Sequence, residues 1–156
     1  MIPVADRKGR TMIRCVTPAY KKIWNICENS DQSDKAVILI VNSAWAKEVA
    51  LAQFKEDGYD PISTKLTSIR EWMTHGGELN PSIMHISRDG ITRFDEGRTR
   101  AIVADEKGYH DYPIATTYRH AMNLKEHWGS VSSAKKVFDF TECWDRIDNA
   151  IILGNP

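Results

Sequence analysis

The alternation of apolar and polar positions divides the chain into short strands and amphipathic helices in mixed order. Residues 11–16 (TMIRCV) read as a short strand. Thr17 then takes the place of an N-cap with Pro18 at the first helical position, and Tyr20, Ile23, Trp24 and Cys27 recur at i, i+3, i+4 and i+7, one apolar helical face. After the polar loop ENSDQSDK, the run Ala36–Val41 (AVILIV) is continuously apolar and rich in β-branched residues. Strands covered on both faces have this pattern, so it is expected at the centre of a sheet. Ser43 is predicted to cap a helix running through Trp45, Val49 and Ala52 to Asp57, stopped by Gly58 with Pro61 just beyond.

The second half is more sharply punctuated. Ser68 and Glu71 have the spacing of a capping box, which predicts a short helix, SIREWMTH, ending at Gly76-Gly77. Pro81–Ser87 (PSIMHIS) reads as a strand, Asp89-Gly90 as a tight turn, and Ile91–Phe94 (ITRF) as the returning strand of a hairpin. A helix follows from Arg98 to Lys107, closed by Gly108, then a strand Tyr112–Thr117 and a helix Tyr118–Trp128. Beyond it, Phe138, Phe140, Trp144, Ile147 and Ile151 read as apolar anchors that pack back onto the fold. The expected fold class is α/β (α+β), a mixed sheet flanked by helices in one domain spanning residues 1–156.

Composition narrows the function classes without choosing one. The chain has 156 residues, 42% hydrophobic and 27% charged, as in ordinary globular domains. Lys+Arg and Asp+Glu are both 21, so any contact with phosphate must come from a local cluster, and DNA binding is expected to be weak and salt-sensitive. The three cysteines, Cys15, Cys27 and Cys143, form no C-x-x-C pair, which predicts a reducing, cytoplasmic setting rather than a disulfide framework. No apolar run approaches the length of a membrane span. A basic stretch over residues 1–22 faces an acidic one over residues 139–148, read as a solvated arm against an acidic tail.

The segment Phe94-Asp95-Glu96-Gly97-Arg98-Thr99-Arg100-Ala101 stands where a strand gives way to a helix. Glycine allows a sharp turn and close approach of a ligand, while the first helical N–H groups lack internal partners and the helix dipole favours an anion there. Gly97, Arg98, Thr99 and Arg100 are therefore the candidate phosphate- or nucleotide-binding residues, the arginines offering charged forked donors. Beside them Glu96 and Asp95 are candidate catalytic carboxylates, able to orient a water or hydroxyl or to hold Mg²⁺ brought in by a nucleotide. The competing reading of Glu96 is a structural brace to Arg98 or Arg100.

In its order, SIREWMTHGG, PSIMHIS, DG, ITRF, DEGRTRAIVADEKGY and YPIA, the chain resembles the ParB/sulfiredoxin-like domain over residues 64–118. That resemblance implies a helix, a strand starting near a proline, a hairpin, a glycine turn with basic residues opening a helix, and a further strand. In partition proteins of the family the turn reads approximately G-E-R-R and grips nucleotide phosphates; in sulfiredoxins it reads G-C-H-R, whose cysteine attacks a phosphorylated sulfinate. Gly97 matches the family glycine, Arg98 the position that is cysteine in sulfiredoxins, and Arg100 the family arginine. With Arg98 there is no thiol in the turn, which removes sulfinate reduction. The chain after Arg100 also leaves little room for the helix-turn-helix and dimerisation modules of partition proteins.

What the resemblance then implies is a small plasmid- or phage-type relative that binds nucleotide or nucleic-acid phosphate and works as a phosphohydrolase, nuclease or phosphotransferase. The alternative from another class is a non-catalytic module that binds or inhibits a protein partner. Metal ligation has little support: His75, His85, His110, His120 and His127 show no metal-binding spacing. Strand alternation places His85 opposite Met84 and Ile86, which predicts a surface or supporting role. Trp24, Trp45 and Trp72 are expected in packing, and Trp128 exposed near Lys135-Lys136.

Overall fold

The computed structural model describes residues 4–5, 11–15, 36–74, 79–129, 138–139 and 151–153. The helix expected from Thr17 to Cys27, the glycine pair at 76–77, His75, and the anchors Phe140, Trp144 and Ile147 lie outside them. The strands are β1 (Val4–Ala5), β2 (Thr11–Arg14), β3 (Ala36–Asn42), β4 (Ser82–Ile86), β5 (Thr92–Glu96), β6 (Asp111–Thr117), β7 (Phe138–Asp139) and β8 (Ile151–Leu153). The helices are α1 (Ser43–Asp57), α2 (Ser63–Thr74), α3 (Arg98–Glu106) and α4 (Tyr118–Trp128).

The fold is α/β. A mixed five-stranded sheet has the order β5-β4-β6-β3-β8, and β1, β2 and β7 form a smaller three-stranded sheet. Along β3 every residue from Ala36 to Asn42 pairs antiparallel with β6, whereas β8 joins its other side in parallel. Val37–Val41 are all fully buried, so the apolar run is covered on both faces as expected. Its position is corrected, however: β6 is the middle strand and β3 stands beside it. The sequence DYPIATT reads less apolar than AVILIV, yet Tyr112, Ile114 and Ala115 are as completely enclosed.

Local signals were obeyed where backbone geometry left one solution. Gly58 and Gly90 take left-handed φ values of 83° and 81°, ending α1 and turning the β4–β5 hairpin. Two caps differ from expectation. Asn42, not Ser43, caps α1: its Oδ1 accepts from the Trp45 N–H at 3.1 Å. The helix containing Ser68 begins five residues earlier at Ser63, and the Ser68 hydroxyl bonds back to the Thr64 carbonyl at 3.0 Å. A mid-helix serine can satisfy itself on the preceding turn, so the S-x-x-E spacing did not mark a start.

Helix α1 lies against both α3 and β5. Trp45, Ala46, Ala50 and Phe54 are its buried face. Gln53 sends its side-chain amide to β5, Nε2 donating to the Phe94 carbonyl at 2.9 Å and Oε1 accepting from the Phe94 N–H at 2.8 Å. Trp45 stacks on Trp128 with ring centroids 5.1 Å apart, so the partly exposed Trp128 is an anchor for the end of α4. Trp72 departs from its expected packing role; it is 55% exposed.

Helix α2 is tied to α3 by a two-pronged ion pair, Arg70 Nε and Nη2 donating to Glu106 Oε2 and Oε1 at 2.9 and 3.0 Å. The hydrogen bond from Arg70 holds the Glu106 carboxyl below its ordinary value, and the one from Arg93 does the same for Asp89. A carboxyl depressed in the folded state contributes stability above its unfolded pKa and loses it as pH falls through the folded one. Melting temperature is therefore expected to drop as pH goes below about 4. Glu106→Gln should flatten part of that drop while costing little at neutral pH, since the pair is exposed. Thermal melts across the acid range, wild type against variant, check this; an unchanged acid slope would contradict it.

Candidate functional site

The eight-residue segment from Phe94 to Ala101 folds as a strand end, a turn and a helix start. β5 runs through Asp95 and Glu96, Gly97 takes φ +88°, and α3 begins at Arg98. Gly97 is the N-cap and carries no side chain to cap the helix. The N–H groups of Arg98, Thr99 and Arg100 thus open the helix without an intrahelical acceptor; the first ladder bond runs from the Ala101 N–H to the Gly97 carbonyl at 3.2 Å. The helix dipole adds partial positive charge at the same point.

A cleft of about 420 Å³ opens over this turn. All six residues singled out in the sequence line it: Asp95, Glu96, Gly97, Arg98, Thr99 and Arg100. Gln53 and Asp57 of α1 and Lys65 and Ile69 of α2 complete the wall. The segment expected to carry chemistry and a real concavity therefore coincide.

The turn is supported from below. Ser82 Oγ donates to the Gly97 carbonyl at 2.7 Å and shares a second 2.7 Å bond with the Tyr112 hydroxyl. Tyr112 is fully enclosed, and that burial pushes its hydroxyl pKa up, keeping it a neutral partner. A Cβ built on Gly97 would collide with Ser82 Oγ and would lie 2.6 Å from Arg100 Nη2. Glycine is required here twice over, by the positive φ and by the space.

The two arginines have different surroundings. Arg98 donates to Asp57 and to the Tyr59 hydroxyl, and its guanidinium lies 3.7 Å over the Phe54 ring. The carboxylate bonded to Arg98 is Asp57, on α1. Arg100 folds back against the Gly97 Cα, where its Nε and Nη2 are shut off from solvent with no hydrogen-bond partner. The guanidinium also bonds to the enclosed Tyr112 hydroxyl, so part of its donor capacity is used and part is buried unused; an anion at the turn is the group that would take up the rest.

The carboxylates also divide. Asp95 Oδ2 is 2.8 Å from His85 Nδ1, and Asp57 belongs to Arg98. Glu96 and Lys65 line the same cleft, Lys65 as a further cation. Lys65 was missed in the sequence because α2 was expected to start at Ser68; a helix from Ser63 brings Lys65 to the site. Ser82 and Tyr112 had no signal beyond their places in strands. His85, expected in a surface or supporting role, is only 5% exposed, because the hairpin encloses it with Asp95 and Ser87.

Among the described residues no group of three or more His, Cys, Asp or Glu side chains is placed to hold a metal ion. Mg²⁺ bound mainly through substrate phosphates requires only one or two protein carboxylates, a role that Glu96 fits. No helix among the described residues is long and apolar enough to cross a membrane. Comparison of the chain with protein-family models, with curated protein sequences and with solved structures finds no match.

Proposed function

We propose that the chain binds the phosphate of a nucleotide or of a nucleic-acid end at the Gly97–Arg100 turn, as a small relative of the ParB/sulfiredoxin-like domains. The observation that carries this reading is the uncapped start of α3, opening into the 420 Å³ cleft with two buried Arg100 nitrogens, Nε and Nη2, left without a hydrogen-bond partner beside Gly97. Charge supports it. Asp57 is paired to Arg98 and Asp95 to His85, while Lys65 and Arg100 add two cations to the cleft lining. The element order α2, β4, β5, glycine turn, α3, β6 also follows the order that the resemblance implies.

In this reading the three backbone N–H groups and Arg100 hold phosphate oxygens, and Gln53 fixes the strand end that presents the turn. Glu96 takes a proton from an attacking water or hydroxyl, in a phosphohydrolase or phosphotransferase reaction. A divalent cation carried by the nucleotide would screen phosphate charge beside Glu96. Binding raises stability by about 2.7 kcal/mol at a hundredfold excess of ligand over Kd, a shift of roughly 5–10 °C.

A thermal-shift series with inorganic phosphate, mono-, di- and trinucleotides and single-stranded DNA, with and without Mg²⁺, is the direct test. Glu96→Gln is expected to keep the ligand-induced shift while abolishing release of phosphate. A variant that loses the shift, or turns over like wild type, would remove Glu96 from the chemistry; no shift with any phosphate compound would remove the reading.

One observation favours a partner-binding alternative. A second concavity of about 390 Å³, between α1 and the hairpin, is lined by Trp45, Val49, Ile91 and Trp128, with Ile91 and Trp128 49% and 41% exposed. Exposed apolar side chains around a groove suit a protein partner.

A further inference from the structure

Along the β4–β5 hairpin, from its tip to Asp95 at the edge of the Gly97 cleft, three side chains are joined in series. His85 and Ser87 are two residues apart, so strand alternation sends them to one side, and Asp95 reaches them from β5. Asp95 Oδ2 is 2.8 Å from His85 Nδ1, and His85 Nε2 is 2.9 Å from Ser87 Oγ. Beside an ionised Asp95, which can only accept, a neutral imidazole carries its proton on Nδ1 and accepts at Nε2 from the Ser87 hydroxyl. In that state the chain runs from serine through histidine to carboxylate.

Shielding strengthens these bonds. His85 is 5% and Ser87 7% exposed. The Ser87 backbone is held on both sides, its N–H donating to the Ile91 carbonyl and its carbonyl accepting from the Gly90 N–H, each at 2.9 Å. Residues 88–91, which follow Ser87 at the hairpin tip, are exposed. His120 of α4 packs beside His85 with ring centroids 6.5 Å apart.

We propose that Ser87 is a nucleophile, with His85 as its general base and Asp95 as the positioning residue, and that this centre accepts the acyl group of a small activated carboxylic ester. Ser87 Oγ bonds to the carbonyl carbon as its proton passes to His85 Nε2. His85 returns that proton to the departing alkoxide when the ester C–O bond breaks. Water then attacks the acyl-serine by the same exchange, releasing the carboxylic acid and restoring Ser87. The enclosure of the hydroxyl selects compact acyl groups.

The test uses the full chain and a small fluorophosphonate, read by intact mass and peptide mapping, with far-UV circular dichroism to confirm folding. A single adduct on Ser87 is expected, absent in Ser87→Ala. His85→Gln should slow labelling at least about a hundredfold, the scale of a lost general base. Asp95→Asn should slow it and change its pH profile, with Asp95→Glu recovering part of the rate. Ser68→Ala, which removes an exposed serine of α2 outside both sites, should label like wild type. No adduct on the folded wild-type chain, labelling scattered over other serines, or His85→Gln reacting at the wild-type rate would overturn the proposal.

Discussion

Gly97→Val is expected to abolish phosphate binding and to lower the melting temperature by on the order of 10 °C. Two costs combine. A left-handed φ costs an L-residue roughly 1–2 kcal/mol, and more when it is β-branched. The new side chain would also meet Ser82 Oγ and the Arg100 guanidinium, and overpacking of this kind costs typically about 1–3 kcal/mol. Gly108 supplies the control. It has φ +83° but nothing within 4 Å of its would-be Cβ, so Gly108→Ala should show the backbone cost alone and leave binding intact. Gly97→Ala should already resemble the valine variant, because the collision begins at Cβ. Equal melting temperatures for Gly97→Ala and Gly108→Ala would mean that the space beneath the turn is not occupied as described.

Arg100→Ala should separate binding from stability in the opposite sense. Loss of a charge-assisted hydrogen bond to phosphate costs roughly 1.5–3 kcal/mol, or about ten- to a hundredfold in affinity. In the free protein Nε and Nη2 have no partner to lose, and what goes is the contact of Arg100 with the Tyr112 hydroxyl. The melting temperature should fall by only a few degrees, while the shift produced by ligand collapses. Arg98→Ala should behave the other way, losing stability through Asp57, Tyr59 and Phe54 with a smaller loss of affinity. Calorimetric titration with the ligand found in the thermal series, beside melts of the free proteins, checks both variants. Wild-type affinity in Arg100→Ala would leave the turn without its principal charge and shift attention to the apolar groove at Trp128.

The parts of this architecture that could be read in advance are those governed by neighbours in sequence. Gly90 and Gly97 announced positive-φ turns, and between them the limits of β5 and α3 came out within two residues of their observed positions. What remained hidden depends on partners distant in the chain. Arg98 is fixed by Asp57 and Tyr59 of another element, and Lys65 enters the cleft only because α2 begins early and packs on α3. Alternation correctly separated His85 from Met84 and Ile86, yet could not show that Asp95 and Ser87 would enclose it. For Trp72 the helical period was real, but a period tells which side chains share a face, not whether anything covers that face.

The Gln53 amide bonded to Phe94 has a consequence for how the molecule behaves at high concentration. β5 is the outermost strand of the five-stranded sheet, and an outermost strand offers outward N–H and C=O groups on which a strand of another molecule can dock. One carboxamide occupies both outward groups of Phe94, imitating a neighbouring strand over a single residue while belonging to a helix. α1 therefore screens this margin as well as packing on it, and the sheet is kept from growing into the next molecule at the strand that delivers Gly97 to the cleft.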